Sequence, residues 1–527
     1  MGLKSHRRDF SSRRRWLSWI NLRKAVQYLT LLGFLALVLA TRQGGWDPDL
    51  VNLPMRLDPL AALANLLASR TFLAGSALAL LVVLLTLIAG RAWCGWLCPL
   101  GTVLDLFPLQ GKRGSKGPGA DRLVALEAWR SVKYALLLTI VFAALLGVLT
   151  LLIFDPLTLL VRSLAVAILP ALDRLVTALE VALYRFPVME GALVAVDGWL
   201  RPAVLPYDPV YYRNAWLIAA VFVGVIALNL VAPRFWCRYL CPLGGLLGLV
   251  SKFALLRRQV GSECKACTLC TRACPTGTVN PEQGYASDPA ECSLCLECLE
   301  VCPRQGIHFF VAPPAPVWNG YDPNRRQALA AFGAGLAALA LFRSDAIVKR
   351  EMPHMLRPPG GRENDLLAKC IRCGECLKAC PTGGLQPAWE EAGVEGVWSP
   401  VLVPRLGYCD ISCNLCGQVC PVEAIPALTL EEKRLQVIGK AYLDQDRCLA
   451  WADGQPCIVC EEMCPLPEKA IRLREEEQEN ALGEMNLIQL PYVLREGCVG
   501  CGICEYKCPV NGEAAIRVFV PEAEVTY

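Results

Sequence analysis

The chain has 527 residues, room for several domains, and 54% of them are hydrophobic, with a mean hydropathy of +0.38 that is high for a soluble protein. The net charge of +4 is unremarkable, but its distribution is not: eight Lys and Arg stand against the single acid Asp9 in the first 24 residues. That basic tail adjoins an apolar stretch, so orienting a membrane span explains it better than nucleic-acid binding, and no nucleic-acid partner is expected.

In chain order, a basic cytoplasmic tail (1–24) leads into a membrane domain (25–255). Four apolar stretches, 25–41, 72–92, 132–153 and 214–232, approach the ~20 residues that a bilayer requires. Lys112, Arg113, Lys116, Arg122, Arg130 and Lys133 mark the 111–133 loop as cytoplasmic, which sends 42–71 and 154–213 outward. The apolar part of the long outer loop, 157–185, reads as interfacial or re-entrant helix. The domain is internally duplicated. Leu57-Asp58-Pro59-Leu60 precedes the second span and Phe154-Asp155-Pro156-Leu157 follows the third. The second span ends in Trp93-Cys94-Gly95-Trp96-Leu97-Cys98-Pro99-Leu100-Gly101, the fourth in Trp236-Cys237-Arg238-Tyr239-Leu240-Cys241-Pro242-Leu243-Gly244. Asp before Pro is an N-cap before the first helical position, so each Asp-Pro reads first as a helix start and second as an acceptor of quinol protons. Cysteines four apart on a helix share a face. Cys94, Cys98, Cys237 and Cys241 are therefore open to three readings: a further metal or iron–sulfur site, a dithiol redox pair, or apolar packing.

The remaining 24 of the 28 cysteines form six quartets, each ending in Cys-Pro. They are Cys264, Cys267, Cys270 and Cys274; Cys292, Cys295, Cys298 and Cys302; Cys370, Cys373, Cys376 and Cys380; Cys409, Cys413, Cys416 and Cys420; Cys448, Cys457, Cys460 and Cys464; and Cys498, Cys501, Cys504 and Cys508. Four have the C-x2-C-x2-C-x3-C-P spacing of bacterial ferredoxins; the fourth and fifth quartets are stretched. Three close thiolates cap one cubane and the fourth serves a neighbour, so six quartets predict six [4Fe-4S] clusters. Zinc favours two C-x2-C knuckles, and disulfides a small secreted chain. The first two quartets must pair with each other. Among the last four, pairing of the two regular quartets around the stretched ones and sequential pairing are equally allowed. Short apolar runs at 278–279, 306–309, 424–425, 470–473 and 515–518 are expected as strands covering clusters. Metal should supply much of the folding free energy, so iron removal is expected to unfold both ferredoxin domains. His6, His308 and His354 lie outside the apolar spans and there is no C-x-x-C-H run, so no haem is expected. No residue set suggests hydrolysis or group transfer.

Residues 25–310, with two W-C-x-x-L-C-P-L-G spans before a two-cluster ferredoxin (256–320), resemble the NapH subunit of periplasmic nitrate reductase systems and its relative MauN. NosR and CcoG share the paired C-x3-C-P core. Residues 325–527 resemble NapG and its relative MauM: an arginine-pair leader, then quartets in the order regular, stretched by one residue, stretched by six, regular. The resemblance implies a NapH–NapG fusion. Asn324-Arg325-Arg326-Gln327-Ala328-Leu329 matches a twin-arginine leader except at Ala328, where the family has phenylalanine, and 321–345 becomes leader and fifth membrane helix. The fold class is thus a helical membrane domain of four spans, with a fifth, plus α+β ferredoxin domains, the last (346–527) holding four clusters. The implied setting is the bacterial inner membrane, multi-pass, with the first ferredoxin cytoplasmic and the second periplasmic. The implied function is a quinol dehydrogenase module moving electrons between membrane quinone and a partner redox protein, a periplasmic reductase or cytochrome. Two alternatives stand beside it: a MauMN-like maturation factor, and a metal-ion reductase acting through the paired membrane thiols.

Overall fold

The computed structural model describes residues 18–43, 47–108, 129–205, 209–311, 325–342, 354–479 and 485–521. Most of the basic tail, the Lys112–Arg122 basic loop, Asn324 of the leader and Pro353 lie outside the described residues. The chain forms two compact units that interleave in sequence: Met1–Leu35, Leu80–Tyr134 and Val225–Pro323 make one, and Ala36–Ala79, Ala135–Gly224 and Asn324–Tyr527 the other.

Among the described residues one helix, Trp19–Thr41, is long and apolar enough to cross a bilayer, with 23 residues and a mean hydropathy of 1.6. The stretches expected as the other spans form shorter helices, Ala74–Ala89, Arg130–Leu145 and Ala215–Leu230. Glycines in left-handed conformation set two of these ends, Gly90 at φ 64° and Gly147 at φ 82°. The 16-residue helix Arg130–Leu145 rises only ~24 Å against a ~30 Å hydrocarbon core.

In the first unit, Pro99 and Pro242 each begin a helix, Pro99–Leu106 and Pro242–Ser251, with Cys98 and Cys241 as N-caps. The ferredoxin portion pairs Leu256–Val260 antiparallel with Ile307–Val311, and Val279–Asn280 with Ala286–Ser287. Each regular quartet carries a five-residue helix, Leu269–Ala273 or Glu297–Val301, that stops at the fourth cysteine, whose backbone turns extended before proline.

In the second unit, Pro59–Ser69 and Pro156–Arg162 start at Asp58 and Asp155, and the second continues through a widened turn (Ser163–Ile168) into Leu169–Leu183. Its exposed Leu172, Leu175 and Leu179 suit the interfacial reading. The helix Arg325–Phe342 sets Phe332 edge-on to Phe142, with ring centroids 5.2 Å apart. The four-quartet domain contains three strand pairs: Leu385–Pro387 with Pro400–Leu402, Lys440–Leu443 with Ile516–Phe519, and the nine-residue hairpin Ile471–Glu479 with Met485–Val493. Ala424–Ile425, expected as a strand, forms none; the chain there turns directly after Cys420. A single buried core joins Val166 and Tyr212 to Leu377, Leu385, Leu402 and Ile516.

Candidate iron–sulfur sites and the paired thiols

Five cavities are each lined by four cysteines, three from one quartet and the fourth from another. They are Cys264, Cys267, Cys270 with Cys302; Cys370, Cys373, Cys376 with Cys420; Cys409, Cys413, Cys416 with Cys380; Cys448, Cys457, Cys460 with Cys508; and Cys498, Cys501, Cys504 with Cys464. The complementary set, Cys292, Cys295 and Cys298, interacts with Cys274. Such crossing is what cubane ligation in a two-cluster ferredoxin requires. Of the two pairings left open for the last four quartets, the cavities follow the sequential one. Among the described residues no three Cys, His or acidic side chains already stand at metal-binding distance, so the grouping rests on the cavity linings.

The donor set fits a cubane chemically: soft sulfur, four per cavity. Burial pushes the Cys501 and Cys409 thiols up to about 11, so iron must displace protons to bind there. The left-handed turn between the second and third cysteines falls on Gly374 (φ 83°) and Gly502 (φ 82°) in the second unit, but on Thr268 (φ 60°) and Leu296 (φ 61°) in the first.

The four remaining thiols converge in the first unit. Each of Cys98, Cys237 and Cys241 feels the charge of Cys94, and burial is the first cause of their raised thiol pKa values, with Cys237 at about 11. The expectation that each pair shares one helical face is corrected. Cys94 and Cys237 sit in π turns, Trp93–Leu97 and Trp236–Leu240, closed by Cys98 N–H to Trp93 O (2.9 Å) and Cys241 N–H to Trp236 O (2.8 Å). The second cysteine then caps a new helix, its thiol accepting from Gly244 N–H at 3.2 Å in the second copy.

Two arginines that the motif left out belong to this site. Arg91 and Arg234, 3% and 4% exposed, stand three residues before Cys94 and Cys237 and act on the thiols electrostatically. The repeat is therefore Arg-x-Trp-Cys, a signal visible in the sequence. Arg234 pairs with Asp105, which also accepts from the buried Gln27. Arg91 pairs with Glu291 at 3.3 Å, and Lys133 donates to both oxygens of Glu291 at 2.6 Å. Glu291 immediately precedes Cys292. Beside it, Trp96 donates to Leu294 O (2.9 Å), inside the same cysteine loop.

Asp58 and Asp155 do cap their helices. One oxygen of Asp58 accepts from Leu60 and Ala61 N–H (2.8 and 3.2 Å), and one of Asp155 from Leu157 and Thr158 N–H (2.9 and 3.0 Å). Capping is not their whole arrangement. Both are 0% exposed, their other oxygens have no outside donor, and the two carboxyls meet each other. Burial raises both pKa values, and proximity to Asp58 raises that of Asp155 further, so the pair holds a proton more readily than solvated carboxylates do. His308 is exposed on its strand, and His354 is exposed while stacking on Phe519 at 4.1 Å.

Both parts of the chain match iron–sulfur families. The 4Fe-4S binding domain family matches residues 71–116 and 214–262, and the 4Fe-4S dicluster domain family matches 369–424 and 455–511. The first match contains Cys94, Cys98, Cys237 and Cys241 and none of the six quartets. Over 291 residues, 50% of this chain, it is 29% identical to Protein NirI of Paracoccus denitrificans, of which the match spans 35%. The methylamine utilization ferredoxin-type protein MauN of Methylorubrum extorquens is 28% identical over 49% of this chain and 74% of its own length. Its counterpart MauM of Paracoccus denitrificans is 36% identical over 114 residues, 20% of this chain and 48% of its own. No solved structure matches. These similarities are to iron–sulfur proteins, the ferredoxin-type proteins MauN and MauM among them.

Proposed function

We propose that this chain is a membrane-bound polyferredoxin of four or five crossings that moves electrons between the quinone pool and a partner redox protein, in the manner of a NapH–NapG fusion. The observation that carries the reading is the set of cavities in which cysteines cross between quartets. Loaded with [4Fe-4S] clusters, ligated by the 24 quartet cysteines, they would supply one-electron carriers in series. The family match over Cys94, Cys98, Cys237 and Cys241, with two buried arginines facing them, favours a further iron–sulfur or metal centre over apolar packing at those four thiols.

Quinol oxidation also releases protons, and the Asp58–Asp155 pair supports the quinol part of the reading. It is buried, its pKa values are raised by that burial, and it is fixed in place because each carboxyl spends one oxygen on a helix start. The helices it starts both reach the Cys370–Cys376 loop: Asn65 donates to Lys369 O (2.9 Å) and Arg162 to Arg372 O (3.1 Å).

The test is anaerobic mixing of the cluster-loaded chain, purified in detergent, with a reduced short-chain quinol. Bleaching of the iron–sulfur absorbance without any client protein is expected, slowed at least tenfold in Asp155→Ala. Loaded clusters that dithionite reduces but quinol does not would refute the quinol role and favour maturation of another enzyme. Replacing Cys94, Cys98, Cys237 and Cys241 by serine is expected to lower iron content by one centre's worth; unchanged iron would return those thiols to packing.

A further inference from the structure

Two arginines lie buried beside the cavity of Cys370, Cys373, Cys376 and Cys420, each under 2% exposed in its side chain. Arg372 lines the cavity and spends its guanidinium on the carbonyls of Cys370 (2.8 Å), Glu395 (2.7 Å) and Val397 (3.2 Å) and on the Thr150 hydroxyl (3.1 Å). Arg162 ends the helix that Asp155 begins. It donates to Arg372 O and Ile153 O, both at 3.1 Å, stacks 4.3 Å over Trp398, and its Nε has no acceptor. Its backbone lies against the cysteine loop, with the Arg162 Cα 3.6 Å from where a Cβ on Gly374 would stand.

Among the described residues neither arginine forms an ion pair with a carboxylate. Asp155 and Glu395 act on them only from a distance, and Asp155 is already engaged with Asp58. Arginine stays protonated when buried. Two like charges whose direct partners are carbonyls, a hydroxyl and an aromatic ring lack a directly bonded counter-charge. Four thiolates around an iron–sulfur core form a net anion, and would provide one.

We infer that Arg162 and Arg372 are the built-in counter-charge of the cluster held by Cys370, Cys373, Cys376 and Cys420, and that they set its reduction potential above those of the other three sites in the same domain. The inference rests on the iron–sulfur electron-transfer reading. Reduction adds negative charge, so a fixed cation close by favours the reduced form. The other three cavities of the domain are lined by no lysine or arginine. Lys433 does meet the Cys409 side chain, but it is one cation, also bonded to Asp410 O. The Arg-flanked loop is, moreover, bonded by segments outside the domain: besides Asn65 and Arg162, Tyr212 donates to Leu377 O at 2.9 Å.

The experiment is an EPR-monitored redox titration of the full chain in detergent, with the component lost in Cys420→Ser identifying the cluster. That component is expected to have the highest midpoint of the four. Arg162→Gln should lower its equilibrium constant for reduction about tenfold, ~59 mV for one electron, with the other components unmoved and Arg162→Lys near wild type. A component that is not the highest, or that Arg162→Gln leaves in place at equal iron content, overturns the inference. If Arg162→Gln instead loses iron, recovery in Arg162→Lys supports the counter-charge, and equal loss in both variants refutes it. A wild-type chain that takes up no clusters would overturn the function itself; clusters with an unmoved midpoint would overturn only this inference.

Discussion

The two ferredoxin portions bury cations beside a three-cysteine loop in opposite ways. Next to Cys292, Lys133 and Arg91 share the carboxylate of Glu291, so each buried cation has an internal ion-pair partner. Next to Cys370, Arg162 and Arg372 meet only carbonyls and a hydroxyl. Buried charge with an internal partner is a structural joint, whereas buried charge without one is arranged for something that binds. The loops differ as well. The first portion places Thr268 and Leu296 in left-handed turns and leaves Cys264 and Cys267 exposed around a cavity of about 220 Å³. The second uses glycine there in its two regular quartets, and its cavities measure about 20–30 Å³.

Six substitutions would break or sharpen this contrast. The largest effect is expected from Glu291→Ala, which strands Lys133 and Arg91 and should cost about 3–5 kcal/mol in denaturant unfolding of the first portion; a loss under 1 kcal/mol would mean the joint is not one. Gly95→Ala comes next. A Cβ there overlaps the Ser293 carbonyl oxygen, and a cost of about 1–3 kcal/mol is expected, while Gly33→Ala, with open space around it, should be harmless.

Asp155→Asn tests the carboxyl pair through pH. The folded-state pKa is raised, so the bound proton stabilises the fold fully below the ordinary carboxylate range, and that contribution fades as pH climbs towards the raised value. Stability of the wild type should therefore fall with rising pH above ~4, by at most ~1.4 kcal/mol per pH unit for one proton. Arg162 is the charged group acting on the pair; burial lowers its pKa to about 9, so it stays mostly protonated below that pH. In Asp155→Asn the part of that slope due to Asp155 should be lost while the cap survives and Asp58, still buried, keeps its own part; an unchanged slope would assign it elsewhere. The smallest effects concern the turns: Gly374→Ala should cost about 1 kcal/mol and Thr268→Gly should gain up to ~1 kcal/mol, read as shifts in unfolding midpoint.

Much of this was legible in the chain. The six quartets, the duplication and the Asp-Pro helix starts all appear in the structure where residue type and spacing put them, because caps and cysteine loops are local. What was not legible depends on distant partners. A C-x3-C spacing suggests one helical face, but Pro99 and Pro242 cannot continue a helix, so the chain widens into a π turn and begins again. Nothing near Asp58 announces Asp155, nor does any motif connect Arg162 with Arg372, 210 residues later. Helix ends were misjudged where Gly90 and Gly147 interrupt apolar runs that hydropathy alone reads through.

The sequential crossing of the last four quartets has a consequence for how the chain is made. Cys380 and Cys420 exchange places within one stretch of sequence, and Cys464 and Cys508 within the next. A nested arrangement would leave Cys370 waiting for Cys508 to leave the ribosome. Here every thiol that Cys370 needs has been synthesised by residue 420, so assembly can proceed from the N-terminal side as translation advances, with short loops to close and few orphaned thiols in the growing chain.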